Sequence, residues 1–158
     1  MGMIVIKIEG SDVNALTSIT SKACFLSGFY VQSFCLPHAG YVKFDKKSIS
    51  SRQEESPDFL IFLDGKNLEN SLRFVKEKSS VIIKMKEKPR SAIAKRRNIK
   101  FHLIDDEKIP VGKDAADAFI FGALTKICSH IMLKAAKSSV GMEKEIQASF
   151  EEGIRNVK

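Results

Sequence analysis

Apolar residues alternate between two kinds of pattern along the chain. Ile4 to Ile8 is a short β-branched run closed by Glu9-Gly10, as a strand is. Ala15, Ile19, Ala23 and Leu26 then recur at helical spacing. Ser11 or Asp12 is placed to cap that helix, and Gly28 to stop it in the left-handed conformation. Phe29 to Leu36 predicts a second strand, Pro37-His38-Ala39-Gly40 a turn, and Tyr41 to Phe44 an antiparallel return. Phe59 to Leu63 is apolar at every position and bounded by Pro57 and Asp64, which marks a central strand covered on both faces. Leu68, Leu72 and Val75 predict a short helix; Val81-Ile82-Ile83 and Phe101 to Ile104 predict two more strands. Ala116, Phe119, Ile120, Ala123, Leu124, Ile127 and Ile131 trace one face of a long helix. Met142, Ile146, Phe150 and Ile154 give a last amphipathic helix, with Ser149 and Gly153 beside them. Strands alternating with helices predict a three-layer α/β/α sandwich with a mostly parallel, mixed sheet, as a single domain over residues 1–158.

Composition agrees with a packed interior: 158 residues, 44% hydrophobic, with eleven Phe and no Trp. No apolar run approaches the roughly 20 residues of a membrane helix, so no membrane partner is expected. Met1 to Lys7 lacks the length and cleavage site of a secretory signal. Cys24, Cys35 and Cys128 are odd in number and widely spaced, with no C-x-x-C pair. They predict neither a disulfide framework nor a zinc or iron–sulfur site, and buried structural roles for Cys24 and Cys128; the expected compartment is cytoplasmic.

The net charge of +7 is concentrated. Lys84, Lys86, Lys88, Arg90, Lys95, Arg96, Arg97 and Lys100 are opposed within that stretch only by Glu87, which accounts for the whole excess. A solvated charged loop with a short helix is one reading. Clustered cations that displace counterions from phosphates are another, and Lys86, Lys88, Arg90, Lys95, Arg96 and Arg97 are its candidate residues. The stretch lacks the aromatic interleaving of single-strand binders, Phe101 reading as strand interior.

Catalytic signatures are missing. His38, His102 and His130 have no second ligand at helical spacing, and there is no G-x-S-x-G or G-x-G-x-x-G. Val111-Gly112-Lys113-Asp114 falls short of a P-loop, because Glu107 stands where glycine is needed and Asp replaces Ser or Thr. No catalytic residue and no metal ligand set is assigned. His102 reads as an interior or edge histidine. His38, in a turn, and Asp64, at a strand end facing the ligand edge of an open sheet, are weak candidates for binding.

Four pieces in order carry a resemblance. They are Phe25-Leu26-x-Gly28 leading to Tyr30-Val31-Gln32-Ser33-Phe34; Pro57-Asp58 with the strand to Leu63-Asp64; Ala118-Phe119-Ile120-Phe121-Gly122-Ala123-Leu124; and Ile146-Gln147-Ala148-Ser149-Phe150-Glu151-Glu152-Gly153. Together they resemble the gamma-type subunit or domain of 2-oxoacid:ferredoxin oxidoreductases, which include the pyruvate and indolepyruvate enzymes. The resemblance implies an accessory unit that docks on larger thiamine-binding subunits. Thiamine diphosphate, iron–sulfur clusters and coenzyme A are implied for such a parent complex, and none is expected on this chain alone.

Two departures bear on function. The family's glycine-rich first loop is here Gly10-Ser11-Asp12-Val13-Asn14, of which only Gly10 matches. Gly10, Ser11 and Asn14 are the residues left to hold a cofactor anion. Asp12 opposes one, since like charges ~4 Å apart repel by about 4 kcal/mol at an effective dielectric near 20. The family's acidic, arginine- and glycine-containing second loop is shortened to Cys35-Leu36-Pro37-His38-Ala39-Gly40 and has no arginine. The expectations are therefore a non-catalytic gamma-like subunit or, alternatively, a stand-alone nucleotide- or nucleic-acid-binding module using the Lys84–Lys100 patch. An enzyme with its own chemistry comes third, and homo-oligomerisation stays open.

Overall fold

The computed structural model describes residues 1–50, 54–63 and 66–158. Among these, six strands form one mixed sheet: β1 (Ile4–Glu9), β2 (Tyr30–Leu36), β3 (Ala39–Asp45), β4 (Phe59–Phe62), β5 (Ser80–Lys84) and β6 (Lys100–Ile104). Their order across the sheet is β2-β3-β1-β4-β5-β6. β1, β4, β5 and β6 run parallel, while the β2–β3 hairpin joins β1 antiparallel with Ile6 opposite Val42. The helices are α1 (Asn14–Leu26), α2 (Leu68–Leu72), α3 (Ala92–Arg97), α4 (Lys113–Ile127), α5 (Leu133–Ser139) and α6 (Lys144–Asn156).

Strand alternation sorts the core into layers. Ile6, Ile8, Val42, Phe44, Ile61, Ile82 and Ile104 face one side, against α1, α4 and α6. Leu60, Phe62, Val81 and Ile83 face the other, against Leu72, Val75, Ala94 and Ile99 around α2 and α3. β4 feeds both cores, as its unbroken apolar run predicts. At the hairpin end of the second face Val5, Ala39 and Tyr41 form a small separate cluster, with Met3 and Phe34 packed against it. There Glu54 accepts from the Tyr41 hydroxyl at 3.1 Å and Glu55 pairs with the buried Lys43 ammonium at 3.2 Å.

Four helical expectations need correction. The buried stripe of α1 is Leu16, Thr17, Thr20, Ala23 and Cys24, while Ala15 and Leu26 are exposed. Threonines read as polar in the sequence, but Thr17 and Thr20 donate their hydroxyls to the helix's own carbonyls at Val13 and Leu16, 2.7 and 2.8 Å away, and so enter the core satisfied. Neither Ser11 nor Asp12 caps α1. Val13 takes the cap position because its side chain is drawn into the core, and its carbonyl receives both Thr17 donors. Finally, α4 stops at Ile127, short of Ile131, and the separate helix α5 follows, which the periodicity did not predict; Met142 lies outside α6 and is exposed.

Helix α4 is buried from Asp117 to Thr125 on all sides, against the sheet, α1 and α6. Its crossing with α6 is made possible by two glycines. A Cβ on Gly122 would overlap the Phe150 carbonyl, and one on Gly153 would overlap the Phe119 carbonyl. Gly28, at φ +86°, ends α1 as its position predicts.

Candidate functional site

Gly10, Ser11, Asn14 and His38 are brought to one place. The amide of Gly10 donates to the carbonyl of His38 at 3.1 Å, so the hairpin turn closes over the loop after β1 at the carboxyl edge of the parallel strands. This is the edge at which open α/β sheets hold ligands. Ser11, Asn14 and the His38 side chain are exposed there. Asp64 falls outside the described residues.

The edge is built for packing and is hostile to anions. A Cβ on Gly10 would lie 3.2 Å from the Leu63 Cβ, so glycine serves the close approach to β4. Asp117, at the start of α4, is buried, and desolvation raises its carboxyl above the usual range; Lys113, 2.6 Å away, opposes the rise, and the charges of Asp12 and Asp114 add to it. A phosphate brought to the start of α1 would enter a field already negative. The implied diphosphate cofactors therefore do not fit this edge.

A polar chain on the second face escaped the sequence reading. Ser71 donates to Glu9 at 2.6 Å, Glu9 pairs with Lys7 at 2.5 Å, and the Lys7 ammonium lies 5.5 Å from the Tyr41 ring centroid. Burial lowers the Lys7 pKa, but the bond and charge of Glu9, with help from Tyr41, leave it raised. Burial chiefly raises the Tyr41 hydroxyl. At neutral pH the lysine is charged and the phenol protonated, so neither is a base. The only sequence signal was Lys7 and Glu9 at period 2 in an apolar strand.

His102 lies on the edge strand β6 with its Nε2 buried and without a hydrogen-bond partner among the described residues; desolvation and then Lys100 lower its pKa, which keeps it neutral. Cys24 and Cys128 are buried, and burial raises both thiols, Cys128 to about 11; Cys35 is exposed on β2. Among the described residues no group of three His, Cys, Asp or Glu side chains could hold a metal ion, and an iron–sulfur cluster does not fit these cysteines.

The basic segment divides in two. Lys86 pairs with Glu107 at 2.7 Å, Lys84 with Asp106 at 3.8 Å, and Arg97 donates to the Val75 carbonyl at 2.5 Å. Lys88, Arg90 and Lys95 instead surround a cleft of about 640 Å³. Phe101 lies within β6 and packs against the second core, as its position predicts, but it is only half-buried and also forms a wall of this cleft, with the Lys88 ammonium 6.0 Å from its ring centroid. Arg96 is exposed and outside the cleft lining.

No protein-family model matches the chain, and no curated protein matches it. Solved structures do. A pyruvate oxidoreductase subunit from Thermotoga maritima superposes with a TM-score of 0.75 at 15% identity, over 100% of this chain and 98% of that one. The gamma subunit of a keto/oxoacid ferredoxin oxidoreductase from Geobacter sulfurreducens gives 0.74 at 16%, over 100% of both chains. The 2-oxoglutarate:ferredoxin oxidoreductase from Magnetococcus marinus gives 0.76 at 13%, over 98% of this chain but 31% of that much longer one. The fold is thus that of an oxoacid:ferredoxin oxidoreductase gamma unit, found as a separate subunit and within a longer chain. Among the described residues, no helix is long and apolar enough to cross a membrane.

Proposed function

We propose that this chain is a non-catalytic, gamma-like accessory subunit of a cytoplasmic 2-oxoacid:ferredoxin oxidoreductase, docked on larger thiamine-binding subunits that perform the oxidative decarboxylation. The observation that carries the reading is the two-way, end-to-end match to a pyruvate oxidoreductase subunit and to an oxoacid oxidoreductase gamma subunit. Thiamine diphosphate and iron–sulfur clusters would then reside on the partners.

Docking needs surface, and α1 with the turn before α5 offers it. Leu26 and Met132, 43% and 53% exposed, line a hollow of about 350 Å³ on the outer side of α1, with Phe25 exposed on the same helix. Lys22 and Lys134 flank these side chains, which suits a partner surface with an apolar centre and acidic rim. Size-exclusion chromatography of a gentle extract from the native host tests the reading. The chain should elute far above its own 17.6 kDa, and Leu26→Lys with Met132→Lys should shift it toward the monomer position. Elution of the unaltered chain at 17.6 kDa would contradict the proposal.

A further inference from the structure

We infer that the cleft between the 88–91 segment, α3 and β6 binds a nucleoside phosphate. The inference does not depend on the subunit reading, since the cleft lies at the β6 edge of the sheet, opposite the β2 edge beside α1. At about 640 Å³ it falls within the roughly 300–1,000 Å³ of small-molecule sites.

Charge is the first argument. The side chains of Lys88, Arg90 and Lys95 form no ion pair or hydrogen bond among the described residues, whereas Lys84, Lys86 and Arg97 beside them are engaged. None of the residues lining the cleft is acidic. Three cations around one concavity repel one another, and a polyanion relieves that repulsion with bidentate geometry available at Arg90. The second argument is the wall. Phe101 and Pro89 line the cleft among these charges, and the half-buried Phe101 ring, 6.0 Å from the Lys88 ammonium, is where a base would stack once Lys88 turns to the phosphates. Asn98, held in the left-handed region at φ 55°, adds an amide able both to donate and to accept toward a base edge or ribose. A simple oxyanion would use the cations and leave the aromatic wall idle; a nucleoside phosphate uses both.

The test is isothermal titration of the purified chain with ATP, with inorganic tripolyphosphate and with a short single-stranded oligothymidylate, at two salt concentrations. ATP should bind about tenfold more tightly than tripolyphosphate, because the base adds stacking. Arg90→Gln and Lys95→Gln, both at exposed positions, should each weaken ATP about threefold or more, while Arg96→Gln should leave it unchanged. Phe101→Leu should abolish the preference for ATP over tripolyphosphate; its thermal melt shows whether it folds, and the two exposed variants decide the matter if it does not. A Phe101-dependent preference for oligothymidylate over ATP would identify the source as a strand, and the reverse a free nucleotide. Equal affinity for ATP and tripolyphosphate, equal losses from Arg96→Gln and Arg90→Gln, or no binding would overturn the inference.

Discussion

Replacing Gly153 by Ala separates two opposite expectations for the α4–α6 crossing. On helix propensity alone the change stabilises, since alanine exceeds glycine by about 1 kcal/mol inside a helix. The structure predicts the opposite sign. A Cβ at Gly153 would overlap the Phe119 carbonyl oxygen and approach its carbon and Cα to 2.7 and 3.0 Å, all backbone atoms that cannot rotate away. Relief requires the helices to part, which loosens the buried Phe119, Phe121 and Phe150 and the tilted ring pair of the last two, 5.7 Å apart. Overpacking of this kind costs about 1–3 kcal/mol, and a forced backbone shift more. Because only backbone atoms meet the new Cβ, the cost lies at the upper end, about 2–3 kcal/mol; with the propensity gain of about 1 kcal/mol subtracted, a net loss of about 1–2 kcal/mol is expected, or roughly 2–8 °C in Tm for a domain of this size. Urea denaturation and thermal melts monitored by far-UV circular dichroism measure it. Ala148→Gly, at an exposed position of the same helix, is the control and should cost about 1 kcal/mol. A Gly153→Ala protein as stable as the parent, or more so, would refute the close-crossing argument.

Two further predictions concern titratable groups. In the native state one thiol of three, Cys35, should react rapidly with a disulfide reagent, with Cys24 and Cys128 reacting only on denaturation; three fast thiols would mean that α1 does not pack as described. Asp117 has a folded-state pKa raised above its unfolded value, so its contribution favours folding at low pH and is lost as pH rises through the raised value. Asp117→Asn should therefore gain stability relative to the parent as pH rises from about 4 to about 7, measured by melts across that range. A parent that gains on the variant over the same range would show that Lys113 outweighs the burial.

Most of the sheet was legible because β-branched runs bounded by Gly, Pro and Asp leave few alternatives. Phe59 to Phe62 could only be central, and Gly28 could only be a stop. What misled was chemistry that changes with context. Thr17 and Thr20 are apolar once their hydroxyls find backbone carbonyls, which turned the α1 stripe, and Val13 displaced the better cap because burial outweighed a hydrogen bond. Helix α5 is short and rich in Lys, Ala and Ser, with three buried positions that carry little periodicity. The loops after β1 and β2 read as two separate departures in the sequence; the bond from the Gly10 amide to the His38 carbonyl brings them into contact. In the basic segment engaged cations could not be told from free ones, because their partners Val75, Asp106 and Glu107 lie outside the stretch and meet it only in the fold, and Phe101, read as strand, is both strand and cleft wall.

The central claim is that this chain completes a larger oxidoreductase. Affinity capture of the tagged chain from its native host under mild conditions, with quantitative mass spectrometry, tests it most directly. The account predicts thiamine-binding 2-oxoacid oxidoreductase subunits in near-equal amounts, with recovery reduced by Leu26→Lys and Met132→Lys. Recovery of the chain alone, or with nucleic acid that salt removes, would contradict it.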